Sequence, residues 1–488
     1  MTGPSRLPQR LRLFDAVTIV AGSMIGSAIF FGLSIMAQWV QTPGILIGLW
    51  IFGGVFTILG TMAFGELAAM FPHAGGQYVY LREAYSAFWG FLFGWTQFMV
   101  VQTGFNAAVA IAFAKYLGSL VPVLGEEHVL IVIPLADLLP SALREAAPGW
   151  LRQLTVNSAQ CVACGVIAVL TAVNIRGVRE GAWVQNLFTV LKLVALAALI
   201  AAGLTRSGGH GHFFPLWEPV AGPAVSWTPG AGALQTAFLA GLAVALSKAL
   251  FAYDAWNTVT FVAEEVHDSE RTLPRAMLVG SLLVTAVYVL ANIAYLAVLP
   301  VAEIAAVPEN RVAQRVAEAL FGEVGSTLVI VAILISTFGC VNGMILGGAR
   351  VSYAMAREGL FFRACAKLHL RNGTPAVALI YQGAWSIVLA LTGSYSALLT
   401  YTTFASVFFG GLTVAAVFWL RFRQPDRPRP YRCWGYPVTP ALYLAICLAF
   451  LVYVIQGAPR ETGFGMLLIL GGVPFYWWWR FRRGASEN

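Results

Sequence analysis

The sequence predicts an all-α polytopic membrane protein, and three observations predict it. Of its 488 residues 59% are hydrophobic and only 11% charged, against about a quarter charged in soluble domains, and the mean hydropathy is +0.75. Apolar windows long enough for a helix to cross hydrocarbon, about 18 residues or more, recur along the whole chain. Lys and Arg are concentrated in alternate connections. The formal charge of +8 is thereby explained by topology, and it carries no implication of nucleic-acid binding.

Twelve spans are predicted, near 13–38, 44–70, 86–117, 156–175, 181–203 and 234–262, then 276–300, 324–350, 375–392, 394–420, 438–456 and 462–480. With the N-terminus inside, 21 of the 30 Lys and Arg side chains fall on that side and six on the other. Both termini are therefore expected in the cytoplasm, and the membrane is expected to be a plasma membrane, the inner membrane of a bacterium. The organisation predicted is a tail (1–12), a first five-helix unit (13–203), a second (204–420), a cytoplasmic linker (421–437), two further spans (438–480) and a tail (481–488). No cleavable signal peptide is evident, since the first apolar run is too long and passes straight into a membrane pattern.

The six cysteines are scattered through spans and cytoplasmic loops, so no disulfide framework is expected. Cys161 and Cys164 form a CxxC on an apolar helix with no second pair near them, and all six histidines lie in loops or at helix ends. Neither pattern makes a metal or haem site, and no cofactor is expected.

In chain order, the first chemical signal is Gly22-Ser23-Met24-Ile25-Gly26-Ser27-Ala28-Ile29-Phe30, near the midpoint of span one. Gly22 and Gly26 form a GxxxG pair, which lets helices pack closely. The same small residues can also break the helix. Freed backbone groups cost several kcal/mol each in hydrocarbon, so a break survives only beside a protein-enclosed or watery cavity. After span two, Phe71 to Tyr80 reads as a short amphipathic segment at the inner mouth or as an interfacial aromatic anchor. The connections 118–155 and 204–233 are the long external loops. The first contains nothing that forms a recognisable site; the second, rich in Gly, Pro and Trp, reads as a lid.

Span five places Lys192 half-way along an apolar run. An ammonium at helix centre costs about 2.5–3.5 kcal/mol on insertion scales, so it faces a cavity or a partner, and a fixed positive charge there can occupy the place of a bound cation. Lys248 precedes the middle of span six, and its role is open. Span six then carries Phe251-Ala252-Tyr253-Asp254-Ala255-Trp256-Asn257, with a carboxylate and an amide in an apolar helix. Span eight adds Ser336, Thr337 and Asn342.

Spans one to five and six to ten form two halves of five. Because five is odd, the second half runs with opposite polarity, which makes an inverted repeat. Paired breaks in spans one and six are then the pointer to a transporter's central site. The N-terminus of a half-helix suits a carboxylate, so the N–H groups of Gly26, Ser27 and Ala28 are candidates for an α-carboxylate. The carbonyls of Met24, Ile25 and Phe251 are candidates for an α-amine. Candidate substrate-binding residues are accordingly Ser23, Met24, Ile25, Gly26, Ser27, Ala28, Phe251, Tyr253, Asp254, Trp256, Asn257 and Asn342, with Lys192 as the ion-site substitute. Trp256, Tyr401 and Phe404 are further candidates for the side-chain pocket, although aromatics on membrane helices more often face lipid or core.

The chain resembles the amino acid–polyamine–organocation transporters, and among them the L-type amino acid transporters. The matching stretches are GSMIGSAIF at 22–30, AGGQYVYLREAY at 74–85, VQNLFTVLK ending at Lys192 and FAYDAWN at 251–257. The loop from Glu264 to Ala276 and the run from Ser336 to Gly359 match as well. The resemblance covers roughly residues 10–455. It implies a LeuT-like five-plus-five inverted repeat with helices 1 and 6 broken, plus two C-terminal helices. It also implies sodium-independent amino acid transport, often obligate exchange, with Lys192 standing where sodium-coupled relatives bind an ion. Phe251 would be the aromatic gate, and Ser27 and Ala28 the carboxylate donors. Two departures stand out. The family usually has Gly-Ser-Gly where this chain has Gly26-Ser27-Ala28. Animal members join a glycoprotein through a cysteine between spans three and four, and residues 118–155 contain none, so no disulfide-linked heavy chain is expected.

The function expected is a sodium-independent exchanger or facilitator of neutral amino acids working by alternating access in the lipid bilayer. A proton-coupled amino acid or polyamine symporter, with Asp254 as proton carrier or counter-ion, is the alternative within transport. A non-transporting nutrient sensor is the alternative outside it. Enzymatic chemistry is not expected, because Lys192, Lys248, Asp254 and Glu66 are the ionisable groups within the spans and suggest a binding cavity.

Overall fold

The computed structural model describes residues 7–134, 154–206, 216–217, 232–392, 395–457 and 459–487. Most of the predicted lid and most of the second half of the 118–155 loop lie outside these residues. The first half of the chain forms α1 (Leu13–Met24), α2 (Ala28–Ala37), α3 (Pro43–Met70), α4 (Gln77–Ala84), α5 (Ala87–Thr96), α6 (Gln102–Leu120), α7 (Ser158–Arg176) and α8 (Val178–Arg206). It continues through α9 (Gly232–Ala252), α10 (Thr258–Phe261), α11 (Ser269–Val298), α12 (Val301–Ala306) and α13 (Val312–Arg357). The last part forms α14 (Ala376–Thr392), α15 (Tyr395–Arg423), α16 (Val438–Gly457), α17 (Pro459–Leu470) and α18 (Gly472–Glu487).

Among the described residues nine helices, counting α1 with α2 as one and α5 with α6 as one, are long and apolar enough to cross a membrane, so the chain is an all-α polytopic membrane protein. Local chemistry accounts for several ends. The Asp15 carboxylate accepts from the Arg12 N–H at 2.8 Å. Pro43 stands at the first position of α3, where a missing N–H costs nothing. Asn157 and Gln160 bond reciprocally at 2.9 Å to open α7.

Four details differ from expectation. Val129–Ile133 and Leu154–Asn157 pair as a small antiparallel sheet, β1 and β2, where the sequence reading expected an all-α chain; the runs Val-Leu-Ile-Val-Ile and Leu-Thr-Val are rich in β-branched residues and fit strands. Between α5 and α6 the helix widens into a π turn over Gln97–Val101. The predicted span 324–350 extends to Val312–Arg357, with Gly322 as the kink. The predicted span 462–480 is interrupted at Gly471.

Burial sorts the helices. In the span formed by α1 and α2 94% of the most apolar window is buried, in α16 only 22%. The first span is thus the axis of the bundle: α1 packs against α8, α11 and α13, and α2 against α9. The stretch Phe71–Tyr80, expected as an amphipathic inner-mouth segment or an interfacial aromatic anchor, runs into α4, in which Tyr78, Tyr80 and Leu81 are fully buried.

Candidate functional site

The first break follows from two missing side chains. A Cβ on Gly22 would overlap the Gln185 amide and the Thr189 hydroxyl of α8, and one on Gly26 would come within 2.9 Å of the Cys340 sulfur of α13. The pair therefore serves close packing and the break together: α1 stops at Met24, Ile25 leaves helical geometry, and α2 restarts at Ala28.

The freed carbonyls find partners inside the protein. The Lys192 ammonium, on a residue only 1% exposed, donates to Gly22 O at 2.9 Å, Ile25 O at 2.8 Å and Ser336 O at 2.9 Å. All three of its protons are used, so a dry charge is paid for by carbonyl dipoles. Ile25 O also accepts from the Ser336 hydroxyl at 3.1 Å, and Met24 O accepts from the Tyr288 hydroxyl at 2.7 Å. Those are two of the three carbonyls expected to receive an α-amine. Of the expected carboxylate donors, Gly26 N–H turns back to Met24 O at 2.9 Å. Ser27 is the N-cap of α2 and Ala28 its first residue, both buried. The Ser23 hydroxyl is buried without a hydrogen-bond partner among the described residues.

The second break separates α9 from α10 at Tyr253–Asn257. Ala255 has φ +70°, a left-handed conformation costing about 1–2 kcal/mol for a residue with a Cβ. Asp254 holds it there: its Oδ1 accepts from the Ala255 N–H at 2.7 Å and from the Ser406 hydroxyl of α15 at 2.9 Å. The Tyr288 hydroxyl, which donates to Met24 O, lies 3.1 Å from Ala252 O, so one phenol on α11 spans both breaks.

The predicted span-six residues divide between two cavities. Phe251 and Ala28 line a space of about 390 Å³ on the side towards which α2 runs, together with Phe31, Ile35 and Lys248. Phe251 stacks on Phe105 there, with centroids 4.7 Å apart and planes at 6°. Tyr253, Asp254, Trp256 and Asn257 instead line a space of about 30 Å³ against Phe64, Ser406 and Tyr443, room for one or two waters. Asn257 donates to the Gln77 side-chain carbonyl at 2.8 Å, and Trp256 packs edge-on against Phe64. Phe404 is buried in the core, and the Tyr401 side chain lies outside the described residues. Asn342 lines neither space. Its amide donates to Gly181 O at 2.9 Å and Gln185 Oε1 at 3.1 Å, and its oxygen accepts from Asn174 at 2.9 Å, which joins α7, α8 and α13.

The opposite side of the breaks is closed. Residues Arg10 and Leu11 donate their N–H groups to Glu265 O at 2.8 and 2.9 Å, and His267 N–H returns to Leu11 O at 2.9 Å. Beneath this clasp the Arg350 guanidinium meets the Glu265 carboxylate at 2.7 Å, both fully buried. Glu66 is committed elsewhere, to Arg421 at 2.6 Å, Arg429 at 3.3 Å and the Cys433 N–H at 2.7 Å. Sequence reasoning passed over Tyr288 and the Glu265–Arg350 pair. A phenol in an apolar run gives no sign that it points inward, and Glu265 and Arg350 are 85 residues apart.

An all-α membrane bundle whose most buried helix is interrupted beside a buried lysine, with a cavity on one side and a clasp on the other, has the architecture of a carrier. The amino acid permease family model matches residues 11–475, and the chain belongs to that family, within the amino acid–polyamine–organocation superfamily. A serine/threonine exchanger of Bacillus subtilis is 31% identical over 99% of this chain and 100% of its own length. The human large neutral amino acids transporter small subunit 2 is 31% identical over 97% of this chain and 81% of its own. The human Asc-type amino acid transporter 1 is 31% identical, with 97% and 83% covered.

Proposed function

We propose that the protein is a sodium-independent exchanger or facilitator of neutral amino acids, working by alternating access. The observation that carries this reading is the Lys192 ammonium on three carbonyls, two from the first break and one from α13. A built-in ammonium in that position fills the place a coupling ion would take, and it ties the break to the helices that must move against each other. The names of the relatives, an exchanger of serine and threonine among them, favour exchange and uncharged side chains. In this reading the spans number twelve, in two inverted halves of five with two more after them, in a plasma membrane with both termini cytoplasmic. The 390 Å³ space then opens outward, and the clasp at Leu11 and Val266 closes the inside. The substrate carboxylate meets the N–H groups of Ser27 and Ala28, its amine meets Phe251 O, and the Phe251 ring covers it.

The test is uptake of labelled amino acids by purified protein in liposomes. Uptake stimulated by amino acid loaded inside indicates exchange, and competition by each of the twenty amino acids defines the range. No uptake under either condition sinks the reading.

A second reading, proton symport through Asp254, is favoured by one observation: its Oδ2 is buried without a hydrogen-bond partner among the described residues. If Asp254 carries the proton, Asp254→Asn flattens the pH profile of uptake; an unchanged profile and substrate range refute it.

A further inference from the structure

Among the described residues the space beside Phe251 has an unbalanced charge. Lys115, Lys248 and Arg311 line it, and against them stand Glu126 and Glu309. Two of the cations are spoken for: Lys115 pairs with Glu126 at 3.1 Å, and Arg311 pairs with Glu309 and donates to the Ser119 hydroxyl at 2.6 Å. Lys248 is left over. Among the described residues it has no ion-pair or hydrogen-bond partner. It lies on α9 three residues before Phe251, so the two side chains share a helix face, and Ala28 lines the same space. The contrast with Lys192 is instructive. Lys192, which joins helices, has its protons satisfied, whereas Lys248 has no counter-charge among the described residues and lies beside an opening of substrate size, at the lower end of the roughly 300–1,000 Å³ range of small-molecule sites. Low-dielectric walls focus such a charge and raise the local concentration of anionic groups.

We propose that Lys248 anchors an outer binding subsite for a carboxylate of the incoming amino acid, occupied before the substrate passes Phe251 to the broken helices. The inference rests on the transport reading and adds to it a waiting position with its own charge preference. The α-carboxylate satisfies the ammonium, an acidic side chain offers a second carboxylate, and a cationic side chain meets like charge.

The experiment is initial-rate uptake of labelled L-serine into liposomes by wild-type, Lys248→Gln, Lys248→Arg and Lys248→Glu proteins. The expected result is an external KM about three- to tenfold higher in Lys248→Gln, with a smaller effect on kcat, restored by Lys248→Arg. L-Aspartate inhibits less in Lys248→Gln, and L-lysine inhibits more in Lys248→Glu. Should Lys248→Gln fail to fold, wild-type protein still decides: its external KM rises with external ionic strength, because salt screens the attraction. Wild-type uptake with an external KM indifferent to ionic strength, or a Lys248→Gln protein that keeps the wild-type KM and inhibition pattern, overturns the inference alone. Absence of wild-type uptake removes the transport reading and this inference together.

Discussion

The methyl group of Ala28 is the smallest feature to which the proposed function assigns a testable effect. It sits at the first turn of α2 and lines the 390 Å³ space, where the resemblance leads one to expect glycine. If it crowds the carboxylate, Ala28→Gly lowers the external KM for serine several-fold; an unchanged KM rules crowding out. At this scale the sequence was informative where a residue contradicted its surroundings. Lys192 stood out as a charge in an apolar run, and the small residues from Gly22 to Ala28 stood out as a gap in one. It was uninformative about direction. Phe251 and Trp256 are five residues apart in one stretch, yet the break turns them into different spaces. A helical period assigns faces only while the helix continues.

Elements add what pairs of distant residues do. The Glu265–Arg350 pair closes the side away from the cavity, and both partners are fully buried. Removing one partner strands a charge at a cost of about 3–5 kcal/mol. Glu265→Gln therefore lowers thermal stability in detergent markedly, and Glu265→Leu with Arg350→Met costs less than the two single changes summed. Strict additivity would contradict the coupling. In the loops, burial pushes the Cys365 thiol up to about 12 and raises that of Cys433. Since the thiolate is the nucleophile, both stay protonated at neutral pH. Mass spectrometry after maleimide treatment at pH 7 should find them unmodified in folded protein and modified after denaturation; rapid labelling of the folded protein contradicts this. Helix positions were legible because apolar runs of fixed length have few alternatives in a membrane. The π turn at Gln97–Val101 and the interruption at Gly471 were hidden, because neither alters the apolar content that marks a span.

For the whole molecule the two sides of the breaks are unequal: an open space of about 390 Å³ lies on one, and a backbone clasp with a buried ion pair on the other. In the proposed alternating access that inequality reverses, and the proposal gives Lys192, bonded to α1 and α13 at once, a part in the reversal. The reading of one class of carrier over another therefore turns on what this ammonium replaces. The direct measurement is initial-rate uptake of labelled serine by liposomes containing wild-type protein or Lys192→Ala, in external sodium or choline, with and without internal serine. The account predicts wild-type uptake that is equal in sodium and choline and stimulated by internal serine, and its loss in Lys192→Ala. Wild-type uptake that follows an inward sodium gradient, or a Lys192→Ala protein as active as wild type, would contradict it.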